Sequence, residues 1–197
     1  MKHPYNSLNK NKFWATGVKT SYTDDTPKFD LPSLNSIIGE NQSVSSVGSC
    51  FAQHIGKNLV ECGVNFNTSN LTRVGFESFD LGNVYTTSQL LMWLKVSLNL
   101  KTLSENNVYF CGTEYKDYLL PHCSGFSKLS ELLENRVAVV NDMRETLKKT
   151  DLLIFTLGLT ELWKSSEEEI LPVCPGVSSG QFDRKRHHFH NLSLNSS

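Results

Sequence analysis

Two spacings of hydrophobic residues alternate along the chain and predict strands interleaved with helices. Residues 43–47 (SVSSV) form a short uncharged segment with two β-branched valines, which is typical of a buried strand. A helical spacing follows at once and predicts an apolar face made of Phe51, Ile55, Leu59 and Cys62. Gly63 is suited to end this helix, and residues 64–66 return to an extended pattern. The first unit is therefore predicted to be strand, tight turn, helix and strand.

The pattern after residue 80 predicts a second helix and a small hairpin. Thr86 or Thr87 is placed to cap this helix. Its apolar face is predicted to consist of Leu90, Leu91, Leu94 and Leu98. Residues 108–120 alternate between polar and apolar side chains, as a hairpin does, and Gly125 ends that segment.

The clearest helical pattern comes next, and a strongly apolar strand follows it. The helix is predicted to start at Ser127 or Ser130, and Lys148 and Lys149 suit its negative C-terminal end. Its inner face is predicted to contain Leu129, Leu132, Leu133, Val137, Val140, Met143 and Leu147. Residues 151–159 (DLLIFTLGL) are nearly all apolar, as expected of a strand covered on both faces of a parallel sheet.

This alternation predicts an α/β domain with a largely parallel sheet. Ligands of such sheets bind beyond the carboxyl ends of the strands, so the loops after residues 47 and 155 become the candidate site. Residues 1–42 are polar and interrupted by Pro4, Pro27 and Pro32, which indicates an extended N-terminal arm. Residues 43–197 are then expected to form one domain, a length that suffices for one core.

Charge and composition narrow the classes of function. The net charge is −1 and Lys and Arg are scattered, which argues against nucleic acid or an anionic membrane as partner. One short basic run, residues 184–188, is too small to change that balance. No apolar run reaches the length of a membrane span, and the N-terminus lacks the apolar region of a secretory signal.

The five cysteines indicate a cytoplasmic protein with reduced thiols. Their number is odd, no C-x-x-C pair occurs, and most are expected to be buried as small apolar residues. A zinc site built from Cys111, Cys123 and Cys174 is the alternative to this interpretation. The expectation is that the protein holds no metal and no organic cofactor.

Four short motifs carry a resemblance to a known family. They are GSCFA (48–52), LGNVYTTSQLL (81–91), TLGLTELW (156–163) and the pair PVCPG (172–176) and FDRKRHHF (182–189). In this order they resemble the GSCFA family, which is similar to the SGNH, or GDSL-like, hydrolases. The resemblance implies a three-layer α/β/α sandwich with a mainly parallel sheet, of the SGNH or flavodoxin-like type. It also implies a serine nucleophile on the first strand-to-helix turn.

The resemblance assigns roles residue by residue. Ser49 is the implied nucleophile and Gly82 the implied backbone donor to an oxyanion, with the Asn83 side chain as an alternative donor. Thr160 falls where the wider clan places an asparagine donor, and Glu161 is expected to hold that loop. From the residues alone, Ser49 is more simply explained as a helix cap, and Gly82 is as well explained as a loop glycine.

The general base is missing from the motifs. The wider clan uses a late Asp-x-x-His, which occurs nowhere in this sequence, so the chain is expected to be a C-terminally truncated member. His188, with His187 and His190, lies where a substrate-side loop is implied; a metal site or a solvated tail are the alternatives. Cys50 is a rival nucleophile at the start of the helix.

Three functions follow from these residues. The first is a serine acyl-ester hydrolase or O-acyltransferase that acts on an acylated carbohydrate, for example an acetyl ester, and is impaired by the absent base. The second is a non-catalytic module that binds a glycan or a small molecule in the same cleft. The third is an inactive fragment of the family.

Overall fold

The computed structural model describes residues 38–39, 41–71, 76–177 and 180–192. The predicted N-terminal arm, residues 1–42, lies outside these residues except at positions 38, 39, 41 and 42. The described chain is a mixed α/β protein in which three helices accompany three small sheets.

The helices are α1 (Cys50–Glu61), α2 (Thr87–Ser97) and α3 (Leu129–Lys149). The strands are β1 (Val44–Val47), β2 (Val108–Phe110), β3 (Tyr115–Asp117), β4 (Leu152–Phe155), β5 (Glu161–Ser165), β6 (Ile170–Leu171) and β7 (His187–Asn191).

Parallel pairing joins the two strands on which the predicted site rests. β1 pairs with β4 from Val44 opposite Leu152 to Val47 opposite Phe155, and on its other side Val44 forms a parallel bridge with Phe66. The other pairings in the described chain are antiparallel: the hairpin β2–β3, and a sheet in the order β6-β5-β7. The α/β class and the hairpin are confirmed. A mainly parallel sheet is not confirmed, because parallel pairing in these residues is limited to β1, β4 and the Phe66 bridge.

The third sheet was not predicted. Residues 161–163 were expected to belong to the exit loop of the apolar strand, and residues 187–190 to a loop or a solvated tail. They form β5 and β7 instead, which pair from Glu161 opposite Asn191 to Ser165 opposite His187. The rings of Trp163 on β5 and Phe189 on β7 lie 5.3 Å apart and help hold the two strands together.

Two of the three described helices begin at a predicted cap, but the buried faces differ from the hydrophobic pattern. Ser49 caps α1 and Thr86 caps α2, whereas Lys128 precedes α3 and makes no side-chain cap. On α1 the buried residues are Ala52, Gly56 and Leu59. Phe51, which was predicted to be inside, is 61% exposed. Small residues face the sheet because Gly56 lies against the Phe66 ring, where a Cβ atom would come within 2.7 Å of Cζ.

The same kind of error occurs on α2 and α3. Leu91 and Leu98 are exposed on α2, while Met92, Trp93 and Val96 are buried. On α3, Leu132 and Met143 are buried as predicted, but Val137 is 59% exposed. Around these helices the core gathers large buried side chains, among them Phe79, Leu81, Trp93, Leu119, Leu120, Leu132 and Met143.

On α3 Arg136 is buried, whereas its neighbour Val137, which was predicted to be inside, is exposed. Arg136 donates from Nε to Asp117 Oδ2 at 2.5 Å and from Nη2 to Asp117 Oδ1 at 2.8 Å. Its Nη1 and Nη2 also donate to the carbonyl oxygens of Ser104 and Asn107. Such a two-pronged pair satisfies both charges away from water and ties the hairpin to α3.

The cysteines differ from the expectation that most are buried. All five are free; Cys50, Cys62 and Cys111 are exposed, Cys123 is half-buried and Cys174 is buried. Burial raises the pKa of the Cys174 thiol to about 11. Among the described helices, none is both long enough and apolar enough to span a membrane.

The Arg136–Asp117 pair generates a prediction about stability. Asp117→Asn removes the negative charge but keeps an oxygen at the same place, so the buried guanidinium loses its counter-charge. We expect the free energy of unfolding to fall by about 3 kcal/mol, measured by urea denaturation. Lys148→Gln is the control: it breaks the exposed Lys148–Glu145 pair (2.6 Å) and should leave stability almost unchanged. Equal losses in the two variants would contradict this assignment.

Candidate active site

Three loops meet at the carboxyl ends of β1 and β4 and are joined by hydrogen bonds. The amide of Val84 donates to the Gly48 carbonyl at 2.6 Å, which connects the loop before α2 to the exit of β1. Thr156, at the exit of β4, donates its amide to the Val47 carbonyl at 3.1 Å. The amides of Gly158 and Leu159 both donate to the Tyr85 carbonyl, at 3.3 and 3.0 Å. The three motif segments predicted to form a site are therefore brought together.

Gly48 is required by the geometry of the turn. Its φ of +152° lies in the region that favours glycine, and an added Cβ atom would come within 1.9 Å of Thr156 Oγ1. The backbone of β1 can therefore pass close to the exit loop of β4 only if residue 48 has no side chain.

Ser49 lies at the turn between β1 and α1, as the sequence predicts. Its Oγ accepts a hydrogen bond from the Phe51 amide at 3.3 Å, so it caps the helix. Its own amide donates to Thr156 Oγ1 at 3.2 Å. The hydroxyl thus lies at the N-terminal end of a 12-residue helix, where the helix dipole is positive.

Gly82 lies in the same cleft, and its amide already has an acceptor. The Gly82 amide donates to Glu77 Oε2 at 3.3 Å. Its φ is +64°, and a Cβ atom there would come within 2.7 Å of His122 Nδ1, so glycine is required here too. Gly82 therefore lies where the predicted oxyanion donor should be. Its N–H is not free to act as that donor, however, because it is bonded to the Glu77 carboxyl group.

Glu77 is the residue of this cleft that sequence reasoning missed. Its side chain is buried, and Oε1 accepts a hydrogen bond from Gln53 Nε2, on the first turns of α1, at 2.5 Å. Burial raises the pKa of the Glu77 carboxyl to about 7. The hydrogen bonds from Gly82 and Gln53 oppose that shift, and the nearby Asp80 carboxylate adds to it. Glu77 can therefore exchange a proton near neutral pH.

A histidine also lies beside Gly82. His122 Nε2 is 4.0 Å from Asp80 Oδ1 and 3.6 Å from Cys123 Sγ. Asp80 is fully buried and has a φ of +49°, an unusual conformation for a residue other than glycine. His122 packs behind Gly82, but it does not line the cleft that contains Ser49.

The loop that carries Gly82 and Asn83 is held by Gln89 from α2. Gln89 Nε2 donates to the Asn83 carbonyl at 3.0 Å, and Gln89 Oε1 accepts from the Tyr85 amide at 3.0 Å. The side-chain oxygen of Asn83 is buried and has no hydrogen-bond partner among the described residues. Asn83 therefore stays a predicted alternative donor, and its backbone is held by Gln89.

Thr160 and Glu161 lie at the edge of this arrangement. Thr160 is exposed, does not line the Ser49 cleft, and accepts a hydrogen bond from the Leu192 amide through its carbonyl. Glu161 is exposed at the start of β5, opposite Asn191. The roles of Thr160 and Glu161 both stay predictions.

The remaining candidates are dispersed. His188 is exposed on β7, opposite Lys164, and its binding role stays a prediction. Cys50 is exposed as the first residue of α1, and its thiol adds to the effect of burial in raising the pKa of Tyr85. Within the described parts of the chain, no three His, Cys, Asp or Glu side chains are grouped to hold a metal ion, including the cysteine and histidine sets considered above.

The cleft formed by these parts is small. It encloses about 10 Å³, about the space that one water molecule needs, and Ser49, Gln53, Glu77 and Gly82 line it. The Ser49 residue, a carboxyl group with a pKa of about 7 and the loop of Gly82 therefore line the same cleft. Of these groups, the Glu77 carboxyl can take up a proton near neutral pH, whereas the amides of Ser49 and Gly82 are bonded to internal acceptors.

The comparisons with known proteins give one match. The model of the GSCFA family matches residues 43–196. No curated protein and no solved structure matches the chain.

The raised pKa of Glu77 generates a prediction about pH. Between about pH 4.5 and 7 the unfolded carboxyl loses its proton while the folded one keeps it. The stability contributed by this group is therefore complete below pH 4.5 and is lost as the pH rises through 7. We expect Glu77→Gln to remove that dependence on pH. The free energy of unfolding of the variant, relative to that of the wild type, should then rise by about 2 kcal/mol across this pH range.

The measurement is urea denaturation of both proteins from pH 4.5 to 8. Glu145→Gln is the control, because the hydrogen bond and charge of Lys148 lower the pKa of the Glu145 carboxyl and the small difference should have the opposite sign. Parallel stability curves for wild type and Glu77→Gln would show that Glu77 titrates normally.

Proposed function

The chain belongs to the GSCFA family, and from the geometry of its cleft we propose that it is a serine-dependent acyl-ester hydrolase or O-acyltransferase. One observation carries the proposal: the Ser49 hydroxyl, at the N-terminus of α1, shares a cleft with the Glu77 carboxyl, whose pKa is about 7. A serine nucleophile needs a base that takes its proton near neutral pH, and Glu77 is the group of this cleft with that property.

In the first step Ser49 Oγ attacks the carbonyl carbon of the ester, and its proton passes to the Glu77 carboxylate. The electron pair of the carbonyl bond moves to the oxygen and gives a tetrahedral oxyanion. Its collapse breaks the ester C–O bond, and the leaving alcohol takes the proton from Glu77. Water or a sugar hydroxyl then releases the acyl group from Ser49 by the same steps in reverse, with Glu77 again as base.

Proton transfer to Glu77 also bears on the oxyanion donors. The Gly82 amide is bonded to Glu77 Oε2, and the Ser49 amide to Thr156 Oγ1. Once Glu77 is neutral it is a weaker acceptor, so the Gly82 amide becomes free for the oxyanion formed in the same step. The positive end of α1 supports the same charge. Thr160 is kept in the proposal as a third donor that acts after movement of its loop.

The finer expectations on fold, substrate and location belong to this proposal. The order Phe66–β1–β4, all parallel, supports an SGNH-type sheet in a three-layer sandwich. The proposed substrate is an acylated carbohydrate, such as an acetyl ester. The cytoplasm is the proposed compartment, because all five cysteines are free.

A second function, binding without catalysis, is favoured by one observation. Both amides of the expected oxyanion hole already have internal acceptors, and the cleft has room for about one water molecule. If both amides keep these acceptors, the cleft would bind a small group without catalysing a reaction on it. The same experiment separates the two functions.

We predict that a fluorophosphonate probe labels Ser49. The labelling rate should rise with pH and level off above about pH 8, because Glu77 must be deprotonated to act as base. Ser49→Ala should abolish labelling, and Glu77→Gln should slow it by about 100-fold or more. Intact-protein mass spectrometry followed by peptide mapping measures the site and the rate.

Cys50→Ala is the matched control, since it removes the rival nucleophile next to Ser49 and should leave labelling unchanged. Absence of labelling in a folded wild-type protein would favour the binding module. Labelling that persists in Ser49→Ala would assign the reaction to another residue, and an unchanged rate in Glu77→Gln would remove Glu77 from the mechanism.

A further inference from the structure

A second and much larger cleft lies between the β2–β3 hairpin and residues 180–187. It has a volume of about 680 Å³, within the range typical of small-molecule sites. It shares no lining residue with the cleft of Ser49. An inference about it therefore does not rest on the proposed hydrolase activity.

One wall of this cleft is the outer face of the hairpin. Tyr109 and Lys116 are directly opposite each other in the register, so their side chains share a face. Tyr118, two residues after Lys116, continues that face, and its ring lies 4.6 Å from the ring of Tyr109. Asp117 alternates to the opposite face, where it pairs with Arg136. The hairpin is thus anchored from behind while it presents the rings of Tyr109 and Tyr118 and the Lys116 side chain in front, and Phe110 also lines the cleft.

The other wall is a short, internally bonded turn. The amides of Arg186 and His187 donate to the Asp183 carbonyl at 3.0 and 2.9 Å, and the Asp183 amide donates to His187 Nδ1 at 3.1 Å. The two walls are joined by Tyr118, whose hydroxyl accepts from the Gln181 amide at 3.2 Å and donates to the Gln181 carbonyl at 3.3 Å. The cleft therefore exists before any ligand binds, which lowers the entropic cost of binding.

Hydrogen-bonding side chains, some positively and some negatively charged, line this cleft. His187 is buried, and burial together with Arg186 lowers the pKa of its ring, so the ring is neutral with its hydrogen on Nε2. Arg186 donates from Nη2 to the Asn106 carbonyl at 2.5 Å, which leaves its other N–H groups for a ligand. Asp183 contributes a carboxylate, and one of its oxygens accepts from the Lys185 amide at 2.9 Å.

The mixture of groups discriminates among classes of ligand. Aromatic rings beside polar side chains suit the apolar face and the hydroxyls of a sugar. Arg186 suits a carboxylate, which guanidinium groups bind in a planar, two-pronged manner. Lys116, whose ammonium is paired with the Glu114 carboxylate at 3.0 Å, adds a second cation on the hairpin wall. The Asp183 carboxylate in the same wall accepts hydrogen bonds from hydroxyls, and it repels the double charge of a phosphate ester more strongly than the single charge of a carboxylate. We propose that this cleft binds a saccharide that carries a carboxylate, that is, a uronic acid unit.

The test is titration of the full chain with trimers of galacturonate, mannuronate and guluronate by isothermal calorimetry. Residues 109–118 and 180–187 should show the shift changes in amide NMR spectra. We expect at least one uronate trimer to bind, to bind more weakly as salt rises from 50 to 500 mM, and to bind more tightly than neutral galactotriose or glucose 6-phosphate.

Two pairs of variants locate the contacts. Tyr109→Ala should weaken binding by about tenfold, whereas Phe51→Ala, which removes an exposed ring of α1 that does not line this cleft, should leave it unchanged. Lys116→Gln should weaken binding by a factor of about three to ten. Lys164→Gln, which breaks a similar surface ion pair with Glu168 away from the cleft, should have no effect.

Four results would overturn the proposal. They are no binding of any uronate trimer at 5 mM, tighter binding of glucose 6-phosphate, shift changes that map away from both walls, or equal losses within a variant pair. Thermal unfolding of each variant establishes that it is folded before affinity is compared. None of these binding measurements depends on Ser49, so failure of the hydrolase proposal would leave their outcome unaffected.

Discussion

The parallel pairing of β1 with β4 is the constraint on which the candidate site depends. Because the strands run in the same direction, both end at the same edge, and their exit loops start side by side. The Thr156 amide extends the ladder by one bond to the Val47 carbonyl. Gly48 then permits contact that a side chain would block. The third loop joins through Val84 and Tyr85. If the two strands were displaced by one residue, Ser49 and Thr156 would no longer face each other.

Two buried carboxylates in this protein show opposite solutions to the same energetic problem. Asp117 is paired with the guanidinium of Arg136 by two hydrogen bonds, so its charge is compensated and it stabilises the hairpin. Among the described residues, Glu77 accepts hydrogen bonds from the Gln53 side chain and the Gly82 amide, and burial outweighs them, so the pKa of its carboxyl rises. Structural ion pairs need the first arrangement, and proton transfer needs the second.

The sequence allowed the local units of the site to be predicted better than their surroundings. Strand β1, the caps at Ser49 and Thr86, and the hairpin follow from short-range rules of spacing and capping. The buried faces of the helices did not, because a hydrophobic stripe does not report which residues are small enough to pack against a strand, as Gly56 is against Phe66. Glu77 could not be singled out either: a glutamate in a polar loop looks solvated until folding buries it beside Gly82.

The junction of the three loops is built mostly from main-chain atoms. Gly48, Val47 and Tyr85 contribute carbonyls, and Val84, Thr156, Gly158 and Leu159 contribute amides. Every amino acid supplies the carbonyl, and every one except proline supplies the amide. Most positions around the cleft can therefore change side chain during evolution without loosening the scaffold. Members of the family that keep this frame are free to diverge in chemistry, so the frame and the reaction it supports need not be inherited together.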